Sequence, residues 1–311
     1  MFDHVKLLLP KEYAISLLAC DVLDFEFKTS RQTGELKTAF NTAIYPTGEK
    51  YPWLTFVIKG NYVTVSGSFH KFYHKGKNHC NYTYSELVET IELLRSLFGI
   101  ESSKAIVRTL EFGANLWPCN ASEFIGQCML HSTKPFTLER FSGKGHLKRF
   151  CYSQYEVKVY DKGKQYGLNY DVLRFEKKLK KMECFGYIKL DDLTSFEIIE
   201  RASNALLETA KALIVSEPYI NKSKLTKPQK RLVYDWSNPN YLEHLASTNL
   251  RKLKNERTKY KQIVGKNCTK NLFNNFIFNL KTYLIEYQKD VPKNVYHSAK
   301  NSRKTCTILT V

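Results

Sequence analysis

The sequence lacks the features that mark several large classes of protein. No stretch approaches 18 consecutive apolar residues, so no helical membrane span is expected. The three-leucine run near the amino terminus meets a proline and is too short for the core of a signal peptide. Apolar residues at 43% and charged residues at 25% exclude a disordered or collagen-like chain. The eight cysteines form no Cys-x-x-Cys pair, which favours reduced thiols in a cytoplasm over a disulfide framework.

Negative charge is also scarce, and most of all in the last ninety residues. The chain has 48 basic and 30 acidic residues, a net charge of +18. Residues 221–311 hold 19 of the basic and 5 of the acidic residues, a net charge of +14. An excess so concentrated predicts a segment that binds a polyanion. No lipidation motif or cationic amphipathic anchor accompanies it, so nucleic acid is the favoured partner and a membrane is not.

Apolar periodicity divides the chain into a mixed region and a helical region. Residues 84–98 form a capped amphipathic helix, because Thr83 and Glu86 have capping-box spacing and Gly99 ends the pattern. Strand patterns interleave with this helix, which predicts an α+β domain on a largely antiparallel sheet. The predicted strand segments are 61–74, 104–117, 155–162 and 171–182, with a hairpin over 138–150 that turns at Gly143-Lys144-Gly145. Later helices are expected over 195–215, 240–263 and 272–288.

Three of these strand segments place charged residues opposite an apolar face. Side chains alternate along a strand, so Glu111 lies opposite Leu110 and Phe112. By the same rule Lys158 and Tyr160 lie on one side of their strand, and Arg174, Glu176 and Lys178 lie on one side of theirs. Two carboxylates can hold Mg²⁺ or Mn²⁺, and an activated tyrosine can attack phosphorus beside cations. The same residues are also compatible with surface groups or ion-pair partners.

Three segments in this order and spacing resemble the phage and plasmid replication initiators of the gene II/X family. They are LEFGANL (110–116), VKVYDKGKQYG (157–167) and LRFEKKLKKM (173–182). SGSFHKFYHKGKN (66–78), ahead of them, is also similar to the family. The resemblance spans roughly residues 60–195, and the two ends of the chain match only loosely.

The resemblance implies a rolling-circle replication initiator that nicks and rejoins one DNA strand at an origin. Carried over to this sequence, the nucleophile that forms a 5′-phosphotyrosine is Tyr160, with Lys162 as a second catalytic residue. Glu111 and Glu176 are the implied metal ligands for Mg²⁺ or Mn²⁺. The origin DNA would be single-stranded or supercoiled, the host helicase and polymerase would be partners, and the site of action would be the bacterial host cytoplasm.

The implied fold is a diverged HUH endonuclease, a central antiparallel sheet flanked by helices. Here the sequence departs from the family pattern, because it contains no histidine-x-histidine triplet. The nearest pair is His70 and His74, which would face one side of an extended strand. We expect His70 to be a third metal ligand. Alternatively, His70, His74, His79 and Cys80 bind zinc, or the histidines contact DNA phosphate or solvent.

The sequence therefore predicts a catalytic domain over 1–192, a helical connector over 193–220 and a basic DNA-binding region over 221–311. DNA contacts are expected from eight basic side chains beside the site and in the basic region. They are Lys158, Arg174 and Lys178 on the sheet, and Arg251, Lys252, Lys254, Arg257 and Lys259 on a helix. Two other functions stay open: a non-catalytic DNA-binding initiator or repressor, and a metal-dependent hydrolytic nuclease.

Overall fold

One large antiparallel sheet organises the protein. The computed structural model describes residues 1–43, 53–117, 120–140 and 146–293. Ten described strands form the sheet in the order β2-β3-β4-β5-β1-β6-β11-β10-β9-β8, and a two-stranded ribbon joins β12 to β7. The strands are β1 (Phe2–Leu9), β2 (Leu23–Thr29), β3 (Leu36–Ala43), β4 (Leu54–Lys59), β5 (Tyr62–Ser68), β6 (Ile106–Leu116), β7 (Cys128–His131), β8 (Thr137–Arg140), β9 (His146–Cys151), β10 (Tyr155–Asp161), β11 (Leu173–Leu179) and β12 (Leu213–Val215).

Helices flank this sheet and form a separate cluster near the carboxyl end. They are α1 (Tyr13–Leu18), α2 (Phe69–Tyr73), α3 (Tyr84–Phe98), α4 (Ala121–Gln127), α5 (Lys162–Tyr166), α6 (Phe196–Lys211), α7 (Lys227–Trp236), α8 (Pro239–Thr248), α9 (Leu250–Asn267) and α10 (Leu272–Lys289), with short 3-10 turns at Asp191–Thr194 and Lys222–Lys224. The predicted fold class, α+β with an antiparallel sheet between helices, is confirmed. None of the helices in the described ranges combines the length and the apolar character needed to cross a membrane.

The core lies between one face of the sheet and two long helices. Phe175 of β11 meets Phe276 of α10 edge-to-face, with ring centroids 5.4 Å apart. Helix α6 packs beside α10 on the same face, against β6 and β11. Burying an aliphatic or aromatic side chain of this kind contributes roughly 1.5–3 kcal/mol. The apolar half of each alternating strand is thereby used for stability, which leaves the polar half on the opposite face.

Helix α3 forms as its sequence predicts, whereas the segment before it does not. The Thr83 hydroxyl accepts from the Glu86 N–H, the Glu86 carboxylate accepts from the Thr83 N–H, and Gly99 ends the helix with φ 66°. Residues 61–74, expected as one strand, divide instead at Ser68. The Ser68 hydroxyl accepts from the N–H of Lys71 and so caps α2, because serine competes for backbone donors at helix starts.

The basic carboxyl-terminal residues divide between two cores. Helices α7, α8 and α9 enclose a second core, in which Trp236 stacks on Tyr260 with ring centroids 4.7 Å apart. Helix α10 instead returns to the main core through Phe276, Leu280 and Leu284. The single helix expected over 240–263 is two helices, since the Asn249 side chain accepts from the N–H of Lys252 and starts a new one. The three-part domain division itself stays a prediction. The hairpin expected over 138–150 pairs as β8 and β9, and its turn lies outside the described residues.

A glycine sets the spacing between the two central strands β6 and β11. Gly113 pairs with Glu176, and a Cβ at Gly113 would lie 2.4 Å from the Phe175 carbonyl oxygen and 2.6 Å from the Glu176 Cβ. Both distances are below van der Waals contact. Only glycine lets the strands approach this closely.

We expect Gly113→Ala to lower the free energy of unfolding by about 1–3 kcal/mol, because the new methyl group overpacks this strand pair. Urea unfolding measures the change. Gly126→Ala is the matched control, since a Cβ there has no heavy atom within 4 Å and alanine favours the helix α4 in which it lies. Equal stabilities of Gly113→Ala and the native protein would contradict this account of the spacing.

Candidate active site

Register brings the polar residues of three neighbouring strands into rows on the polar face of the sheet, where they are largely buried. Lys158 of β10 lies opposite Glu176 of β11, and Glu176 lies opposite Gly113 of β6. In the next row Tyr160 lies opposite Arg174, which lies opposite Asn115. Side chains in adjacent rows of one face are neighbours. The three segments that carry the family resemblance therefore meet at one place.

Asp3, Glu111, Lys158, Arg174 and Glu176 form an ion network on this face. The Lys158 ammonium Nζ lies 2.9 Å from Glu111 Oε2 and 2.8 Å from Glu176 Oε1. The Arg174 guanidinium donates from Nε to Glu176 Oε2 at 2.9 Å and from Nη2 to Asp3 Oδ2 at 3.1 Å. Two cations thus hold three carboxylates. All five side chains are largely buried, and the most exposed of them, Lys158, is 14% exposed.

Asp3 completes the cluster and was missed by the sequence analysis. It lies on β1 and accepts hydrogen bonds from Ser68 Oγ and, at 3.1 Å, from Asn78 Nδ2. The available signal was an acid in a strand whose other residues are mostly apolar, FDHVKLLL. Such a strand is expected to be buried, and a buried aspartate needs partners. The partners themselves could not be predicted, since they come from segments 65 to 171 residues away.

The carboxylates have different pKa values because they share the cations unequally. Burial, followed by the negative charge of Glu176, raises the pKa of Glu111 to about 7 despite its contact with Lys158. Burial would also raise the pKa of Glu176, but Lys158, Arg174 and Lys162 outweigh it and lower the pKa to about 2. Asp3 behaves like Glu176, since Arg174 and Lys162 hold its pKa below the ordinary value against the effect of burial.

Tyr160 and Lys162 lie beside this network. The Tyr160 hydroxyl donates to Glu176 Oε2 at 3.3 Å, and the residue is 7% exposed. Burial, together with the charge of Glu176, raises the pKa of Tyr160 well above 10. Lys162 is fully buried, and its Nζ has no hydrogen-bond partner among the described residues. Burial and the nearby Arg174 lower the pKa of Lys162 to about 7.

His70 lies apart from the two glutamates with which it was expected to bind metal. Donor atoms of Asp3, Glu111 and Glu176 lie within 4.8 Å of one another, and those of His70, His74 and Cys80 form a second group of the same size. The helical backbone of α2, rather than an extended strand, brings the two histidines to one side. Within the described residues, the structure therefore places an oxygen-donor group and a nitrogen-and-sulfur group where the sequence predicted one mixed set.

The oxygen-donor group fits the expected Mg²⁺ or Mn²⁺. Both ions prefer carboxylate oxygens, and three such groups converge here. The Lys158 ammonium already lies between Glu111 and Glu176 as a cation would. Asp3, Glu111 and Glu176 are the residues that would hold the ion.

The basic residues expected to contact DNA fall into two sets. Lys158 and Arg174 are held inside the ion network, and Arg257 donates to the carbonyl oxygens of Lys211 and Leu213. These three cations are already partnered, because each satisfies a buried acceptor or acid. Lys178 is half-buried. Arg251, Lys252, Lys254 and Lys259 are exposed on α9.

A groove of about 560 Å³ runs between α7 and α9. Its lining includes Arg231, Lys252, Lys259 and Lys266 together with the acids Asp235 and Glu256. Positive charge predominates along it, which is typical of a surface that follows a phosphate backbone.

Comparison with known proteins gives a distant structural likeness. No protein-family model matches the sequence, and no curated protein matches it. Among solved structures, the fold is similar to that of a rolling circle replication initiator protein from Geobacillus stearothermophilus, with a TM-score of 0.40 and 10% sequence identity. The likeness covers 76% of this chain and 96% of the other.

The raised pKa of Glu111 predicts a pH-dependent stability difference. Between about pH 4.5 and about pH 7 the folded protein holds a proton on Glu111 that the unfolded chain has lost, so stability falls as the pH rises through this window. Glu111→Gln removes this loss. We expect the free energy of unfolding of Glu111→Gln, relative to the native protein, to improve by roughly 1–3 kcal/mol across the window.

Urea unfolding at a series of pH values measures this difference, and histidines that titrate in the same range cancel because both proteins contain them. Glu139→Gln is the control, since Glu139 is an exposed acid that pairs with Arg149 at 2.8 Å. A difference between Glu111→Gln and the native protein that stays constant with pH would overturn the assignment.

Proposed function

We propose that the protein is a rolling-circle DNA replication initiator that nicks and rejoins one strand at an origin through Tyr160. The observation that supports the proposal is the meeting of the three family-like segments at one cluster of tyrosine, carboxylates and cations. In sequence these segments extend over residues 110–182, and neither their order nor their spacing requires the polar residues to converge. A merely structural role for each would not require a tyrosine, a free lysine and three acids in one place.

In the proposed reaction the Tyr160 oxygen attacks a backbone phosphorus. The new O–P bond joins the protein to the 5′-phosphate end of the nicked strand, and the bond to the 3′ oxygen breaks with its electron pair. That oxygen leaves as the hydroxyl that primes synthesis once it gains a proton. The reverse attack by a 3′ hydroxyl releases Tyr160 and closes the strand.

Lys162 is the group best matched to take the proton of Tyr160. Glu176 accepts the hydrogen bond of the phenol, but its pKa of about 2 makes it a weak base. The pKa of Lys162 is about 7, so a large fraction of Lys162 is neutral near neutral pH. Its Nζ lies over the Tyr160 ring, 5.8 Å from the ring centre, and makes no hydrogen bond to the described residues, so the lysine must approach the hydroxyl before it takes the proton. Proton acceptance at Lys162 Nζ leaves Glu176 ionised to orient the hydroxyl.

The carboxylates Asp3, Glu111 and Glu176 form the metal-holding part of the proposed site. A bound Mg²⁺ or Mn²⁺ would supply positive charge against the phosphate oxygens as negative charge develops there. Arg174 keeps Asp3 and Glu176 ionised and aimed at one point, whichever cation lies between them. His70 has no place in this set.

The exposed cations of α9 and the α7–α9 groove supply the DNA-binding surface in this proposal. Their contacts are to phosphate, which gives affinity and allows search without reading sequence. Origin DNA is the proposed partner, with the host helicase and polymerase acting on the nicked product in a bacterial cytoplasm.

A second candidate function is a non-catalytic DNA-binding initiator or repressor. The observation in its favour is that Lys158 and Arg174 already neutralise the acids and that Tyr160 is buried. Such a protein would use the same basic surface and keep the ion network only for stability.

Replacing the nucleophile distinguishes these functions. Purified protein is incubated with supercoiled DNA of its own replicon, or with a pool of labelled single-stranded oligonucleotides, in Mg²⁺ or Mn²⁺. We expect a metal-dependent protein–DNA adduct that survives denaturing SDS gels, and we expect Tyr160→Phe to lose it completely. Tyr155→Phe is the matched control, because Tyr155 lies on the same strand but stacks on Tyr152, with ring centroids 4.4 Å apart.

The other outcomes each select another function. Cleavage without an adduct, unchanged in Tyr160→Phe, would indicate a hydrolytic nuclease. A mobility shift on the cognate origin without cleavage would leave the DNA-binding protein alone. An adduct that persists in Tyr160→Phe would assign the nucleophile to another residue. Tyr166 is then the first to replace, since its hydroxyl lies 2.5 Å from Asn78 Oδ1 near the same cluster.

The DNA-binding role of α9 predicts a change in salt dependence. Simultaneous replacement of Arg251, Lys254 and Lys259 by alanine should weaken binding uniformly across sequences and reduce the slope of log K against log salt by about 3. Fluorescence anisotropy at several salt concentrations measures it. The control replaces three exposed cations at the far edge of the sheet, Lys28, Arg31 and Lys37. Equal slopes for the two triple variants would exclude α9 as the binding surface.

A further inference from the structure

We propose that His70, His74 and Cys80 form a zinc-binding site that fastens the segment after β5 to the polar face of the sheet. This site is separate from the carboxylate cluster, and it stands or fails independently of the nicking reaction. The segment, residues 69–82, comprises α2 and the loop that follows, and is called the clamp below. A first observation is that one donor atom from each of the three residues lies within 4.8 Å of the other two.

The backbone of the clamp produces this convergence. His70 and His74 are four residues apart around α2, so they lie on one side of it, with ring centroids 5.0 Å apart. Lys75 and Gly76 then adopt φ angles of 50° and 93°, which turn the chain back. The return brings Cys80 Sγ to 3.4 Å from His70 Nε2. A zinc ion bound at ordinary Zn–S and Zn–N distances would hold two such tetrahedral donors about 3.5 Å apart.

Neighbouring groups fix the donors in place. His70 is 2% exposed, and its ring stacks on Tyr82, with centroids 5.0 Å apart. The Tyr82 hydroxyl lies 2.6 Å from Thr90 Oγ1 on α3, so the stacking partner is itself anchored. Glu86 Oε1 lies 3.2 Å from His74 Nε2. A carboxylate beside the ring is the outer partner that metal-binding histidines usually have.

The donor chemistry selects the metal. A thiolate and two imidazoles are soft and borderline ligands, which bind Zn²⁺ and disfavour Mg²⁺ and Mn²⁺. The two donor groups of this protein would therefore not compete for the same ion. Three protein ligands leave a fourth position for water. His79, which could have joined such a site, faces Tyr166 instead, with ring centroids 5.1 Å apart.

The clamp connects this site to the carboxylate cluster. Ser68, at the start of α2, donates to Asp3, and so does Asn78 near the end of the loop. Asn115, in the same row as Tyr160, donates to the carbonyl oxygens of Asn78 and Cys80 at 3.2 and 2.6 Å. A metal ion that joins α2 to Cys80 closes the loop between these contacts. It would hold Asp3 in position and keep the clamp on the sheet.

Cobalt substitution tests the site on the full chain. We expect Co²⁺ to produce the strong near-ultraviolet thiolate-to-metal charge-transfer band and the visible bands of a tetrahedral site, saturating at one ion per chain. Zn²⁺ should abolish these bands, and excess Mg²⁺ should leave them. We expect Cys80→Ser to lose the charge-transfer band, and we expect His74→Gln to bind Co²⁺ at least about 100-fold more weakly.

Cys20→Ser is the matched control, since Cys20 is another partly buried thiol. It donates a hydrogen bond to the Leu97 carbonyl oxygen and lies outside the proposed zinc site. The variant should keep the full spectrum. The native protein decides the question even where a variant fails to fold. No charge-transfer band in the native protein, or an equal band in a folded Cys80→Ser, would overturn the proposal.

Discussion

The ion network of Asp3, Glu111, Lys158, Arg174 and Glu176 is the interaction on which the rest of the site depends. Its members come from four strands, and each cation contacts two acids. A buried network of this kind contributes little net stability, but removal of one of its two cations leaves ionised acids uncompensated at a cost of about 3–5 kcal/mol. A slip of one residue in any strand would turn its charged side chains into the apolar core. The network therefore fixes register more than it adds stability.

Alternation along single strands was enough to place most of these groups on one face. Glu111, Lys158, Tyr160, Arg174 and Glu176 were assigned to the polar side from the sequence, and each lies there. Strand order was beyond this reasoning, because alternation carries no information about which strands are neighbours. Asp3 shows the consequence: its strand lies between β5 and β6, and its partner Arg174 is 171 residues away.

Local signals failed where tertiary contacts override them. The segment SGSFHKFYH alternates like a strand, yet it becomes helical after Ser68 because the serine caps α2 and Phe69 and Phe72 are buried in the main core. The basic charge of residues 221–311 was read as one region. Within the described residues, α9 carries exposed cations beside the second core, whereas α10 presents apolar residues to the sheet. Net charge describes what a surface attracts, and burial decides which helices share a core.

The carboxylate group prefers hard metal ions and the His70–His74–Cys80 group prefers softer ones, although both contact the clamp. Oxygen donors lie on the strands, whose register holds them, while the nitrogen and sulfur donors lie on a short helix and a loop. A five-residue helix has little stability of its own, so its position depends on contacts outside it. Ser68 and Asn78 transmit that position to Asp3 through hydrogen bonds. The geometry of the carboxylates therefore depends both on the register of the sheet and on the position of the clamp. Because the clamp contacts Asp3 directly, a change in the clamp should displace Asp3 more than Glu111 or Glu176.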